Sequence, residues 1–185
     1  IIEAFRAADR VDFVPERYKK GVYVNAPLPI DWGQTISQPL TIAFMIELLA
    51  PKQGENVLEI GFGSGWQTAI LANIVGGEGR VVGIEIIPEL FEFGKKNLEN
   101  YAHKNLKLVL GDGSKGLAEY APYDKIVAGA AAEHTIPLAW YEQLKIGGKI
   151  VAPVLDSILM IQKKGEKEYE TKQYQGFRFV PLIEH

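Results

Sequence analysis

The 185-residue sequence contains no cysteine, which excludes a disulfide framework, a thiolate metal site and a cysteine nucleophile. No apolar run approaches the roughly 20 residues that span a bilayer, and no basic segment leads into an apolar one at its start. Neither membrane insertion nor a secretory leader is therefore expected. Charge of one sign is not in excess either: 20 Lys and Arg against 23 Asp and Glu give a net charge of −3. The broad basic field that nucleic acid demands is missing. Three histidines, His103, His134 and His185, fall without ligand spacing and no carboxylate cluster joins them, so no metal is expected. What remains is a chain that is 47% hydrophobic and 23% charged, the make-up and length of one globular domain over residues 1–185. It begins with Ile1 rather than Met, so a missing native start is expected.

From Glu55 onward short β-branched runs alternate with segments of helical spacing. "NVLEI" (56–60), "RVVGIEI" (80–86), "NLKLVLGDG" (105–113) and "YDKIVAGAA" (123–131) predict buried strands. Between them lie a helix over 65–75, one opened by Pro88, a short one over 115–120, and one near 136–144. This alternation predicts a doubly wound α/β domain with a mostly parallel sheet over residues 51–154. Residues 155–185 lose the helical period and predict antiparallel strands along one edge. Residues 1–50 form an N-terminal extension, with helices near 2–8 and 39–49. The run Lys163, Lys164, Lys167, interleaved with Glu166, Glu168 and Glu170, reads as a solvated hairpin.

In open α/β sheets ligands bind beyond the carboxyl ends of the strands, and three such ends are chemically marked. The first is "EIGFGSGW", with Gly61, Gly63 and Gly65 between a strand and a helix. It is not a dinucleotide fingerprint, because Trp66 stands where the third glycine belongs, and no Gly-Lys-Ser/Thr follows to make a phosphate loop. The second is Glu85, followed by Ile86, an acidic strand end able to accept ribose hydroxyls. The third is the pair Asp112 and Gly113, a carboxylate and a backbone N–H suited to an adenine edge. A tight turn, a solvated strand end and an Asp-Gly turn would account for each mark alone. In this order they describe a site for a nucleoside without phosphates. S-adenosyl-L-methionine fits that description, with Glu59 near the amino group of its methionine part, and the pattern resembles class I methyltransferases.

Other segments narrow the resemblance. "PLPI", "GQTISQP", "AFMIELL", "VLEIGFGSGWQTAILA", "GDGSKGLAEYAPYDKIV", "IPLAWYEQLKIGGKIVAPV" and "FVPL" together resemble the protein-L-isoaspartate O-methyltransferase family over nearly the whole chain. The resemblance implies a Rossmann-like methyltransferase fold and methyl transfer from S-adenosyl-L-methionine to the free α-carboxylate of L-isoaspartyl residues in damaged proteins or peptides. The ester then closes to a succinimide, the first step of repair, and S-adenosyl-L-homocysteine is the other product. It implies a cytoplasmic enzyme whose partners are isoaspartyl proteins and peptides rather than nucleic acid or membrane.

The family's pattern places Thr35, Ile36, Ser37 and Gln38 in a loop over the active site, touching the cofactor, with Ser37 acting on the acceptor. From spacing alone the lesser alternative for Ser37 is a helix cap before Pro39, and the two roles are compatible. Ala130 and Ala131, with Ala132, are expected to wall the acceptor, whereas "AGAAAEHTIP" departs from the family's usual run through Gly129 and His134. His134 reads as a surface histidine, because a carboxylate acceptor needs no general base. Trp32, Trp66 and Trp140 read as core or lid packing. Two other readings stay open: a class I methyltransferase acting on a small molecule or RNA, and a binding module without catalysis.

Overall fold

The computed structural model describes residues 1–184, so the third histidine, His185, lies outside the described residues. Seven strands form one sheet in the order β5-β4-β3-β6-β7-β8-β9. β3 (Asn56–Ile60), β4 (Arg80–Glu85), β5 (Leu106–Leu110), β6 (Tyr123–Ala128) and β7 (Leu144–Val154) run parallel to their neighbours. β8 (Ser157–Lys163) and β9 (Tyr169–Gln175) then add antiparallel strands at one edge. The chain goes from β3 outward through β4 and β5, then returns to place β6 on β3's other side. The topological switch point therefore lies between β3 and β6, and a ligand crevice is expected at their carboxyl ends.

Alternation along each strand separates two cores. Val57, Val81, Val127 and Val151 join one cluster with the helices α2 (Pro39–Leu49), α3 (Trp66–Val75) and α4 (Pro88–Glu99). Leu58, Ile60, Val82, Ile84, Ile126 and Ile150 pack on the other face with Trp140 of α5 (Leu138–Gln143). Helix α3 is buried almost all round, which matches its unrelieved apolar sequence, because the N-terminal extension covers its outer side. Phe5 of α1 (Ile2–Ala7) meets the Trp66 ring edge-on at 5.6 Å, and Trp66 Nε1 donates to Ala8 O at 2.9 Å. Trp140 is likewise buried, its Nε1 donating to Gly113 O at 2.9 Å, whereas Trp32 is partly exposed and packs against Phe93.

Four details differ from the sequence pattern. Residues 28–36 form a hairpin, β1 (Leu28–Asp31) with β2 (Gln34–Ile36), so Thr35 and Ile36 belong to a strand rather than a loop. Its turn needs left-handed backbone at both Trp32 and Gly33, the twist a two-residue hairpin favours, and Trp32 is not a residue that advertises it. The helix expected over 115–120 is two short 3₁₀ turns, 113–115 and 118–120, divided where Gly116 takes φ +60°. Lys163 is not solvated but 8% exposed, donating its ammonium to Tyr141 O and Leu144 O, and only Lys164 and Lys167 sit in the exposed hairpin. The last turn of chain, 177–184, is no strand of the sheet and instead crosses the strand ends, with Ala131 N donating to Val180 O and Leu182 N to Ala131 O, both at 2.8 Å. No helix among the described residues is long and apolar enough to cross a membrane.

Candidate active site

Three cavities meet at the switch point, and Thr35 and Gly129 line all of them. The first, about 470 Å³, is also lined by Ser37, Gln38, Asp156, Arg178 and Phe179. A second, about 50 Å³, lies over Gly61, Gly63, Glu85, Ile86 and Gly113 and is roofed by Val180 to Ile183. A third of similar volume holds Ser37, Glu59, Gly61, Gly63, Ser64 and Gln67. They adjoin one another at Thr35 and Gly129, the first as a wide mouth and the other two as narrow arms.

Gly129 stands at the junction for a steric reason. It follows β6 as Gly61 follows β3, and its N–H donates to Ile60 O at 2.8 Å. A Cβ here would lie 2.6 Å from Gly61 O, a backbone atom that cannot step aside. The glycine at this departure from the family's run therefore lets β6 close against the glycine-rich turn. Gly61, Gly63 and Gly65 all adopt positive φ, as the sequence pattern requires of a turn that brings backbone to a ligand.

Glu59 projects from β3 toward the third cavity and is 1% exposed. Burial raises its carboxyl to about 8, the approach of Thr68 and Gln67 lowers it, and the charge of Glu85 raises it again. Despite that approach, Glu59 Oε2, both polar atoms of the Gln67 amide and Thr68 Oγ1 are buried without completing a hydrogen bond. An acidic atom held dry beside a cavity is a site for a cationic donor.

Glu85 is otherwise engaged. Its Oε1 accepts from the Ile86 and Ile87 N–H groups at 2.9 and 3.1 Å, and its Oε2 from Gly63 N at 3.0 Å. Burial raises its pKa, which the three backbone donors counteract. A carboxylate offers about four acceptor directions, so about one remains for a ligand hydroxyl. Asp112 does not line the cavities: its Oδ1 accepts from Ser114 N and Oγ, and Lys115 lies 3.3 Å from its other oxygen. Gly113 does line the second cavity, held from behind by Trp140.

On the acceptor side Ser37 is not the cap of α2; that place falls to Gln38, which makes no capping bond through its side chain. Ser37 instead faces both the wide cavity and the arm that holds Glu59. Ala130 lines the second cavity rather than the wide one, and Ala131 lines none, its backbone serving to hold the 180–182 segment. Gly65 is also away from the cavities, packed under Leu98 of α4. His134 is exposed and lines none of the three. Sequence reasoning missed Arg178 and Asp156, and it marked Gly129 only as a departure from the family's run. An arginine just ahead of the quoted "FVPL" was the available signal for the first.

Known proteins resemble this chain along nearly its whole length. The family model of protein-L-isoaspartate(D-aspartate) O-methyltransferase matches residues 1–185. A protein-L-isoaspartate O-methyltransferase of Pyrococcus horikoshii is 47% identical over 185 residues, covering 97% of this chain and 83% of that one. Protein-L-isoaspartate O-methyltransferase 2 of Archaeoglobus fulgidus is 45% identical, covering 98% and 84%. Among solved structures, a protein-L-isoaspartate O-methyltransferase superposes with a TM-score of 0.89 at 30% identity, over 97% of this chain and 59% of that longer one. A Plasmodium falciparum protein in complex with S-adenosyl-L-homocysteine shares the fold at a TM-score of 0.87 and 22% identity, over 99% and 89% of the two chains. With the family model matched from end to end and relatives above 40% identity over nearly all of its length, this chain belongs to the protein-L-isoaspartate(D-aspartate) O-methyltransferase family.

Proposed function

We propose that the protein transfers a methyl group from S-adenosyl-L-methionine to the free α-carboxylate of L-isoaspartyl residues in damaged proteins and peptides, in the cytoplasm, as the first step of repair through a succinimide. The observation that carries this is the group of three cavities: two narrow arms on the cofactor side adjoin, at Thr35 and Gly129, one wide cavity bearing Ser37 and Arg178. A peptide needs the wide, open branch. Among its polar lining residues, Thr35, Ser37, Gln38, Thr41, Asp156 and Arg178, the Ser37 hydroxyl and the Arg178 guanidinium suit an anionic acceptor.

The residues present fit the cofactor. Gly61 and Gly63 give close backbone approach, Glu59 offers an unpartnered buried carboxylate oxygen to an ammonium, and Glu85 retains capacity for a ribose hydroxyl while it fastens the turn. Apolar Ile84, Ile86 and Leu90 with the backbone of Gly113 suit the adenine faces and edge. When bound, S-adenosyl-L-methionine supplies an electrophilic methyl on a positively charged sulfur. An acceptor carboxylate with an ordinary pKa of about 4 is ionised at neutral pH, so no residue need remove a proton. The protein's work is to orient the acceptor and exclude water. Ser37 holds one carboxylate oxygen while the other is left to react, and Arg178 balances the charge brought in.

A hydrogen bond to a charged group contributes roughly 1.5 to 3 kcal/mol, so Ser37→Ala should slow turnover about 10- to 100-fold with little change in cofactor affinity. Calorimetry with S-adenosyl-L-homocysteine beside steady-state rates separates the two effects, and lost affinity would reassign Ser37 to the cofactor. Because Arg178 is exposed, Arg178→Gln should act more weakly, raising KM for the peptide several-fold at unchanged kcat. A fall in kcat alone would contradict that role. The function itself is tested by radiolabelled methyl transfer to an isoaspartyl peptide with the aspartyl isomer as control. The label should leave as methanol in mild base, which a methylated nitrogen of RNA or of a small amine would not release.

A further inference from the structure

Arg10 is one of the few charged residues buried in the N-terminal extension, 3% exposed, and it does no work in the chemistry described above. Its guanidinium has no carboxylate partner among the described residues. One terminal nitrogen donates to Val22 O and, at 3.4 Å, to Val24 O; the other donates to Ala26 O and to Ser37 O, both at 3.0 Å. Its carbon lies 5.3 Å from the centroid of Trp66, the first residue of the helix that follows the glycine-rich turn. Desolvation lowers its pKa to about 10, which still leaves it charged at neutral pH. A buried cation answered only by neutral carbonyls is a poor source of stability.

That geometry is particular. The four acceptors belong to two separate pieces of chain, the 22–26 loop and Ser37, the residue just after the β1–β2 hairpin. The 22–26 loop is fastened from outside as well, by Tyr23 Oη donating to Asp9 at 2.8 Å and by Asn25 Oδ1 accepting from Leu40 N at 3.0 Å. No other side chain bonds to the Ser37 backbone among the described residues. We propose that Arg10 is a positioning residue for the acceptor half of the site: its planar fork ties the Ser37 backbone to the 22–26 loop and, through Trp66, to the glycine-rich turn, and so fixes where the Ser37 hydroxyl points. This rests on the assignment of Ser37 to the acceptor given above. Lysine cannot replace it, because one ammonium presents its donors from a single point, whereas these carbonyls are taken by two nitrogens of a rigid plane.

The test compares the unaltered protein with Arg10→Lys, Ser37→Ala and the double variant. Arg10→Lys should lower kcat/KM for an isoaspartyl peptide tenfold or more while leaving the dissociation constant of S-adenosyl-L-homocysteine within threefold of the original. In the Ser37→Ala background the same change should cost threefold or less, since a hydroxyl that is gone cannot be misplaced. Equal losses in both backgrounds, or a parallel loss of cofactor affinity, would overturn the proposal and leave Arg10 as a folding residue. Hydrogen exchange reads the clamp independently of substrate: amides of 22–26 and 34–38 should exchange faster in Arg10→Lys and those of 60–66 should not. Unchanged exchange in both segments overturns it, even if the peptide proves not to be the substrate. Inactivity of the unaltered protein toward the peptide, with the exchange difference intact, counts against the acceptor assignment alone.

Discussion

Glu59→Gln should make the unliganded protein more stable at pH 8 and a worse binder of its cofactor. The stability arm follows from linkage. Burial holds the Glu59 carboxyl at about 8 in the folded chain, against 4.5 as its ordinary value. Between those two pH values the folded state keeps a proton that the unfolded state has shed. Stability from this group is therefore fully present below about pH 4.5 and falls as pH rises, by about 1.4 kcal/mol per unit, until it levels off above about 8. Glutamine has the same shape and no such slope. The variant's advantage should be near zero at pH 4.5 and reach a few kcal/mol at pH 8, several degrees in Tm for a chain of this size. Thermal melts of both proteins across that range check it, and parallel curves would show that Glu59 is not held neutral.

The binding arm has the opposite sign. An ammonium placed against Glu59 needs the carboxylate, so cofactor binding at pH 7 should release about one proton and tighten with rising pH up to about 8. The groups around that carboxyl are Thr68, Gln67 and the Glu85 carboxylate, and none of them supplies a compensating positive charge. Loss of one partner of a buried charge pair typically costs 3 to 5 kcal/mol, so Glu59→Gln should weaken S-adenosyl-L-homocysteine binding by on the order of 100-fold or more. Calorimetry in buffers of different ionisation enthalpy measures the released proton. If affinity in Glu59→Gln stays within threefold, the ammonium lies elsewhere.

Glu59 also shows what a sequence can reveal and what it cannot. Its place was legible because "NVLEI" alternates, setting Val57 and Glu59 on the face of β3 that meets α3, and because ligands gather at strand ends. The doubly wound sheet with helices on both faces and an antiparallel edge follows from the alternation of strand and helix runs, and residue type marks the glycine turn and the strand-end acids, whereas the sheet order is not legible there. That Glu85 would spend three acceptor directions on its own turn, or that Asp112 would fold onto Ser114, could not be read, since backbone donors carry no residue letter. The hairpin at 28–36 escaped because its strands are four and three residues long, too short to show a period. Arg10 escaped for another reason: its partners are main-chain carbonyls 12 to 27 residues away, brought together only by the fold. Local pattern thus locates the residues proposed to hold the cofactor. The acceptor side is assembled from the extension and the C-terminal segment, which no single periodicity describes.

A glycine in the middle of α4 carries the last of these consequences. Gly94→Ala, ordinarily a helix-stabilising change worth up to about 1 kcal/mol, should here destabilise the protein and all but abolish cofactor binding. Gly94 packs directly on the glycine-rich turn: an added Cβ would overlap Gly63 O and lie 2.7 Å from Phe62 Cε2. Neither neighbour can yield cheaply. Gly63 O is backbone of the turn whose N–H is already fixed by Glu85, and the same stretch is pinned to α4 by Asn97 Nδ2 donating to Ser64 O at 3.0 Å. Overpacking of this kind typically costs 1 to 3 kcal/mol and more when only backbone can move. The strain can be relieved in two ways, and both damage the site. Either α4 lifts away, uncovering Leu90 and Leu98, or the turn shifts into the arms that Gly61 and Gly63 line. The expected result is a Tm lower by about 5 °C or more and S-adenosyl-L-homocysteine affinity reduced at least 100-fold. Gly77→Ala serves as the control, because a Cβ there meets nothing within 4 Å. Should Gly94→Ala melt and bind like that control, α4 does not set the position of the turn, and the contact between Gly94 and Gly63 would have no part in shaping the cofactor arms.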